Sequence, residues 1–127
     1  MTSVRIIPPH ERLDRVEFTE QFEWRDRSVQ VGDYTCPRCG HRVGLKTADL
    51  RRHAFAPTRN LREPWLGLFE AARADRAQEW ESHLDFHCPG CDAPVRLVYS
   101  QGSEWAMGVR SLHFTAILEA ADWPLTG

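Results

Sequence analysis

One ten-residue pattern occurs twice in this chain and contains all four of its cysteines. The first copy is CPRCGHRVGL, at residues 36–45, and the second is CPGCDAPVRL, at residues 88–97. Both copies read C-P-x-C-x-x-x-V-x-L, and an aromatic residue, Tyr34 or Phe86, lies two positions before each first cysteine. The repeat therefore predicts two copies of one local structure, in which a strand enters a tight turn at the cysteines and another strand leaves it.

Cysteines paired at this spacing are typical of metal sites. Two residues between the cysteines allow one turn to direct both sulfur atoms at the same ion, and proline and glycine suit such turns. Two such turns supply the four thiolates of a closed tetrahedral Zn²⁺ site. We therefore predict one structural Zn²⁺ ion, with the ligands Cys36, Cys39, Cys88 and Cys91. An iron site and redox-active thiols are the alternatives, although neither CxxC opens a helix in the βαβ pattern of thioredoxin-like proteins.

The two cysteine turns, named knuckle 1 (residues 36–39) and knuckle 2 (residues 88–91), resemble those of the zinc ribbon. The resemblance covers about residues 30–45 and 82–100, and it implies a small antiparallel sheet around the metal. The valine and leucine after each knuckle are expected to pack in a common core. The chain departs from a minimal ribbon because 48 residues separate Cys39 from Cys88. We predict that this interval contains a helical insertion, at about residues 46–81.

Hydrophobic periodicity predicts the remaining elements. The predicted strands cover residues 16–24, 28–34, 82–87, 93–100 and 109–120. In the last of these, the alternate apolar residues from Leu112 to Leu118 are expected to share one face. A short helix is predicted after Thr47. A longer one is predicted with Pro64 at its first position, because apolar residues recur at helical spacing from Trp65. The fold class is therefore α+β, with a single domain over residues 1–127.

Composition and motifs exclude several function classes. The formal net charge of −2 gives no general attraction to nucleic acids, and no stretch approaches the 18 apolar residues of a membrane span. The N-terminus lacks a signal-peptide pattern, so we expect a cytoplasmic protein whose cysteines stay reduced. The sequence contains no G-x-S-x-G, P-loop, G-x-G-x-x-G or deaminase H-x-E motif. Four thiolates also leave zinc no open position, so we expect no enzymatic activity.

Charge is unevenly distributed along the chain. Residues 33–62 contain seven basic residues and two acids, whereas residues 63–92 contain seven acids and two arginines. The two segments either neutralise each other in the fold or form patches that face partners, including a second copy of the chain. The candidate partner-binding residues are Arg38, Arg42, Arg51, Arg52, Glu79, Glu81 and Asp85. In the alternative interpretation, the basic stretch 38–62 binds nucleic acid through its phosphates.

The C-terminal part of the chain, from Cys88, also resembles small bacterial zinc-knuckle proteins of toxin–immunity loci. In those proteins a CPxC is followed by a strand, a loop similar to E-x-x-M-G and a closing strand, and the corresponding loop here is EWAMG at residues 104–108. The resemblance implies a protein that sequesters a toxin by direct contact between an acidic face and a basic active site. We therefore predict action through protein–protein interaction, as an immunity protein or an adaptor.

Overall fold

The computed structural model describes residues 3–21, 30–46, 49–50, 61–73, 81–101 and 109–121. The strands are β1 (Val4–Ile7), β2 (Glu17–Gln21), β3 (Gln30–Thr35), β4 (Arg42–Lys46), β5 (Glu81–His87), β6 (Pro94–Gln101) and β7 (Val109–Ala120). A 3₁₀ turn covers Pro9–Glu11, and helix α1 covers Trp65–Arg73. Residues 49–50 are helical as well, but most of the predicted short helix after Thr47 lies outside the described residues.

The larger sheet is antiparallel and is organised around the long strand β7. Its order is β1-β7-β6-β5, and β2 follows β1 along the same edge of β7. Val4–Ile7 pairs with the C-terminal end of β7, whereas Glu17–Gln21 pairs with its N-terminal end. The strands predicted at residues 82–87, 93–100 and 109–120 are confirmed to within one residue at each end.

Strand β7 contains a β-bulge that the sequence pattern did not predict. The pairing of β7 with β6 shifts at Thr115, because β7 has one more residue than β6 at this point. An extra residue reverses the inward and outward alternation of the side chains that follow it. Phe114 accordingly packs with Ile117, whereas Leu118 packs on the opposite face of the sheet. The prediction that Phe114 and Leu118 share one face is therefore wrong.

The two faces of the larger sheet are covered by different structures. Helix α1 packs on one face, where Phe69 is fully buried against Val98 and Leu118. The helix begins at Trp65, one residue after the predicted start at Pro64. It is the main described part of the predicted insertion at 46–81; the remainder of that insertion stays a prediction. No helix among the described residues is long and apolar enough to cross a membrane.

The hairpin β3–β4 covers the other face and is extended by a third segment of chain. Leu13 forms an isolated antiparallel bridge with Tyr34. The backbone N–H of Thr35 donates to the carbonyl of Arg12 at 2.9 Å. Residues 12–14 therefore run beside β3. The apolar side chains of the hairpin join those of β5, β6 and β7 in the main hydrophobic cluster, which also includes three of the four cysteines.

Candidate metal centre

The fold brings all four predicted ligand residues together. The four sulfur atoms lie within 4.8 Å of one another. The Sγ atoms of Cys36 and Cys91 are 3.7 Å apart, and those of Cys39 and Cys88 are 3.5 Å apart. A tetrahedral site with metal–sulfur bonds of about 2.3 Å requires sulfur–sulfur distances of about 3.8 Å. The cluster therefore has the dimensions needed to bind one metal ion.

The two knuckles have the same backbone geometry, as the sequence repeat predicted. In each one, the first cysteine donates its N–H to a carbonyl five residues later and accepts a hydrogen bond from the N–H four residues later. These bonds are Cys36 N to His41 O (2.9 Å), Gly40 N to Cys36 O (2.9 Å), Cys88 N to Ala93 O (2.8 Å) and Asp92 N to Cys88 O (2.7 Å). The equivalent residues Gly40 and Asp92 both have positive φ, +76° and +63°. Glycine and aspartate are among the residues that tolerate this left-handed conformation.

The equivalence extends into the strands on both sides of each knuckle. Tyr34 pairs with Val43, and Phe86 pairs in the same way with Val95. The rings of Tyr34 and Phe86 then meet edge to face, with centroids 5.6 Å apart and planes at 81°. The valine and leucine that follow each knuckle are all buried in the same cluster, so their predicted role is confirmed. The repeat therefore builds two similar hairpins that pack together next to the cysteines.

The four cysteines differ in exposure. Cys36, Cys88 and Cys91 are buried, whereas Cys39 is exposed. Knuckle 2 passes so close to Cys39 that a Cβ atom at Gly90 would lie 2.7 Å from its Sγ. Contacts shorter than 3.0 Å are essentially never made by real Cβ atoms. A residue larger than glycine at this position would collide with the sulfur unless one of the knuckles shifted.

The same difference appears in the acidity of the thiols. A hydrogen bond from the backbone N–H of His41 holds the pKa of Cys39 below its usual range. Burial raises the pKa of Cys88, and it raises the pKa of Cys91 to about 12. Metals bind the thiolate form, so binding here displaces protons from the buried thiols. Metal affinity is therefore expected to fall as the pH is lowered.

The predicted partner-binding residues are placed in different environments. Arg38 is half-buried, and its guanidinium donates to the backbone carbonyls of Ala120 and Ala121 at the end of β7. Arg42 is exposed and forms an ion pair with Asp33 at 2.9 Å. Glu81 is the first residue of β5. Arg51, Arg52 and Glu79 lie outside the described residues, as does the loop at 104–108.

Asp85 is not on the surface, which corrects its predicted place on an acidic face. Its side chain is only 2% exposed, and its two carboxylate oxygens accept hydrogen bonds from Nε and Nη2 of Arg96 at 2.7 and 2.8 Å. The same Nη2 lies 2.7 Å from a carboxylate oxygen of Glu70 on α1. His83 Nε2 lies 3.6 Å from Asp85. Asp85 therefore belongs to an ion-pair network beneath the helix, and its own carboxylate cannot contact a partner, whereas Glu70 at the edge of the network is exposed.

A second buried network connects hairpin β3–β4 to the larger sheet. Glu119 of β7 is buried and accepts a hydrogen bond from the Tyr34 hydroxyl at 2.5 Å. Nε of Arg12 donates to the same carboxylate at 3.0 Å, and Arg5 approaches it to 3.6 Å. Burial, followed by the charge of Glu119, raises the pKa of Tyr34 well above its usual range. No sequence motif indicated this network, because its members are distant in the chain.

No family model, curated protein or solved structure matches this chain. The four-cysteine cluster and the arrangement of charges around it are therefore the observations from which a function can be proposed.

Proposed function

We propose that this chain is a zinc-ribbon-like protein that holds one structural Zn²⁺ ion and acts, without catalysis, by binding a protein partner. The convergence of four cysteine sulfurs within 4.8 Å is the observation that carries the proposal. Thiolates are soft ligands that favour zinc over hard cations such as Mg²⁺ and Ca²⁺, and sets of four cysteines are typical of structural zinc sites. The ligands would be Cys36, Cys39, Cys88 and Cys91.

A structural role is favoured over a catalytic one by the completeness of the ligand set. Catalytic zinc keeps a position for water or substrate, whereas four protein ligands fill a tetrahedral ion. Three of the four sulfur ligands also lie in the hydrophobic core. The metal would therefore connect two hairpins within the core, and its chemistry would be to stabilise the fold.

The described ion pairs lower the net positive charge of the basic stretch, which supports a protein partner over nucleic acid. Phosphate binding relies on cationic side chains that are available to the ligand. Several arginines of the basic stretch at 38–62 already have acceptors within the protein. Arg38 donates to carbonyls of β7, Arg42 pairs with Asp33, and Arg62 pairs with Asp92. The last pair joins the basic segment to the acidic one, which supports partial neutralisation between the two segments.

Elemental analysis of protein purified without chelator, together with its ratio of absorbance at 260 and 280 nm, tests the first part of the proposal. We expect one zinc per chain and a spectrum free of nucleic acid. Protein that contains no zinc would overturn the structural-zinc assignment. Zinc together with co-purifying nucleic acid would instead support the alternative, in which the basic stretch binds phosphates.

The partner can then be sought by affinity capture with two charge-reversed variants as matched baits. One variant is Glu79→Lys with Glu81→Lys, and the other is Arg51→Glu with Arg52→Glu. Asp85 is excluded because it is buried. We expect a protein that the parent captures to be lost with one variant and kept with the other, while both variants keep their zinc. Equal capture by all three baits would contradict charge-directed binding.

Light scattering on the purified chain tests whether the partner is a second copy of the chain, which would form a homodimer.

A further inference from the structure

The four cysteines of the proposed zinc site are unequally protected from solvent. Cys36 and Cys88 are each 1% exposed and Cys91 is 7% exposed, whereas Cys39 is exposed. The knuckle that passes Cys39 does so at a glycine, Gly90, which has no side chain to cover the sulfur. A reagent in solution therefore meets Cys39 before it meets any of the other three ligands.

A sulfur atom of the opposite knuckle lies close to the exposed cysteine. The Sγ atoms of Cys39 and Cys88 are 3.5 Å apart, and Cys88 is buried. Cysteines bound to zinc are thiolates, which are the nucleophilic and oxidisable form of the side chain. An exposed thiolate with a second thiolate beside it matches the arrangement found at redox-sensitive cysteines, where a resolving cysteine lies next to the one that is oxidised.

We propose that Cys39 is an oxidation site for hydrogen peroxide and that Cys88 resolves the oxidised product into a disulfide, with release of the metal. The proposal rests on the structural zinc site proposed above. In the first step, the Cys39 thiolate attacks one oxygen of the peroxide, the O–O bond breaks, and Cys39 becomes a sulfenic acid while hydroxide leaves. In the second step, the Cys88 thiolate attacks the Cys39 sulfur, an S–S bond forms, and a second hydroxide leaves.

The two steps balance without any further reactant. The two sulfur atoms lose two electrons in total, and the peroxide accepts both of them and ends as two hydroxide ions. The zinc ion leaves in its original oxidation state, because two of its four ligands are no longer thiolates. A thiol reductant reverses the disulfide, so the site can bind zinc again.

Alkylation of the zinc-loaded chain tests the order of reactivity without any mutation. The protein is treated with less than one equivalent of iodoacetamide, and the position of the label is determined by peptide mass spectrometry. We expect Cys39 to be labelled at least about tenfold faster than the other three cysteines, because reactivity follows exposure and thiolate character. Equal labelling, or faster labelling of any other cysteine, would overturn the proposal.

Oxidation by hydrogen peroxide tests the product. Released zinc is followed with a chromogenic chelator, and disulfides are mapped on a non-reduced digest. We expect zinc release to accompany a disulfide between Cys39 and Cys88. A first disulfide within one knuckle, or zinc release without any change at Cys39, would contradict the mechanism.

Two serine variants complete the test, because both remove one ligand but only one removes the exposed sulfur. We expect Cys39→Ser to slow peroxide-dependent zinc release by about tenfold or more relative to Cys91→Ser, which keeps the reactive thiolate. Equal rates would overturn the proposal, and the alkylation of the parent decides it if either variant fails to fold. The underlying zinc assignment fails separately, by the absence of zinc from the untreated parent.

Discussion

The geometry of the four-cysteine cluster depends on a few residues at which substitution is restricted. Gly40 and Asp92 occupy equivalent positions with positive φ and end the two knuckles in the same way. Gly90 has a different function, because it makes room for a sulfur atom of the opposite knuckle. The two knuckles are therefore alike in their backbone but not interchangeable in their side chains. Arg38, the residue equivalent to Gly90, binds the end of β7 instead.

We expect Gly90→Ala to weaken metal binding. The new Cβ would lie 2.7 Å from the sulfur of Cys39 and 3.1 Å from the Cβ of His41, so a knuckle must shift. Overpacking of this kind costs about 1–3 kcal/mol, and about 1.4 kcal/mol corresponds to a tenfold loss of affinity. Chelator competition measures the change. Gly44→Ala is the matched control, because its Cβ would meet no atom closer than 3.6 Å. Equal affinities for the two variants would contradict the packing argument.

The convergence of the four cysteines could be predicted from the sequence, but their individual environments could not. The CxxC spacing fixes which sulfurs can converge, because one tight turn orients both of them. The exposure of Cys39 depends instead on where the second knuckle passes the first. That arrangement is set by long-range packing of the hairpins, as shown by the contact between Tyr34 and Phe86.

At the scale of secondary-structure elements, strands β5 and β6 and helix α1 meet at a buried arginine. Arg96 is 0% exposed, and its guanidinium connects Asp85 on the neighbouring strand to Glu70 on the helix. Asp85 pairs with Arg96 across β5 and β6, and the equivalent residues of the first repeat, Asp33 and Gly44, pair across β3 and β4. The two hairpins therefore share one register. The ion pair itself was not predicted from the sequence, because the residue equivalent to Arg96 in the first hairpin is a glycine, and its burial depends on α1 covering this face of the sheet.

We expect Arg96→Met to destabilise the fold strongly, because it leaves the Asp85 carboxylate buried without its partner. Breaking a buried ion pair in this way costs about 3–5 kcal/mol. Chemical denaturation measures the loss. The double variant Arg96→Met with Asp85→Leu should recover most of the stability, because an apolar pair of similar volume replaces the ionic one.

Arg42→Met provides the matched control for this prediction. Arg42 forms its ion pair with Asp33 at the surface, and exposed pairs contribute about 0–1 kcal/mol. If Arg96→Met were no more harmful than Arg42→Met, the buried network would not stabilise the packing of the helix on the sheet.

The alternation of apolar and polar residues in β7 predicted where the strand lies, but not which of its side chains share a face. Alternation correctly predicted the extent of β7, because one long apolar–polar run covers Val109–Ala120. It placed Phe114 and Leu118 on the same face, and the bulge at Thr115 reverses that relation. A single inserted residue leaves no mark in composition, yet it allows β7 to contribute to both hydrophobic clusters.

At the scale of the whole molecule, the four-cysteine cluster is continuous with the main hydrophobic core. Cys36, Cys88 and Cys91 belong to the same cluster as the buried residues of hairpin β3–β4 and of the larger sheet. The sulfur pairs at 3.5 and 3.7 Å both join one knuckle to the other. Under the proposed function, the bound ion therefore cross-links the two halves of the core.

We expect removal of the metal by a strong chelator to unfold the protein. Structural zinc sites contribute roughly 10–16 kcal/mol when binding is coupled to folding, whereas whole domains are stable by only about 5–15 kcal/mol. Loss of the ion would therefore remove most of the stability. Thermal unfolding, followed by near-ultraviolet circular dichroism, should show a cooperative transition for the zinc-loaded chain and none after chelation.

Re-addition of zinc separates metal loss from irreversible damage. The chelated parent should recover its transition, whereas Cys36→Ser and Cys88→Ser, which each remove one buried ligand, should not recover it fully at the same zinc concentration. The two variants should behave alike, because the two cysteines occupy equivalent positions in the repeat and are equally buried. A chelated parent that melts at the temperature of the zinc-loaded protein would show that the hairpins pack without the metal, and the repeated cysteines would then need another explanation.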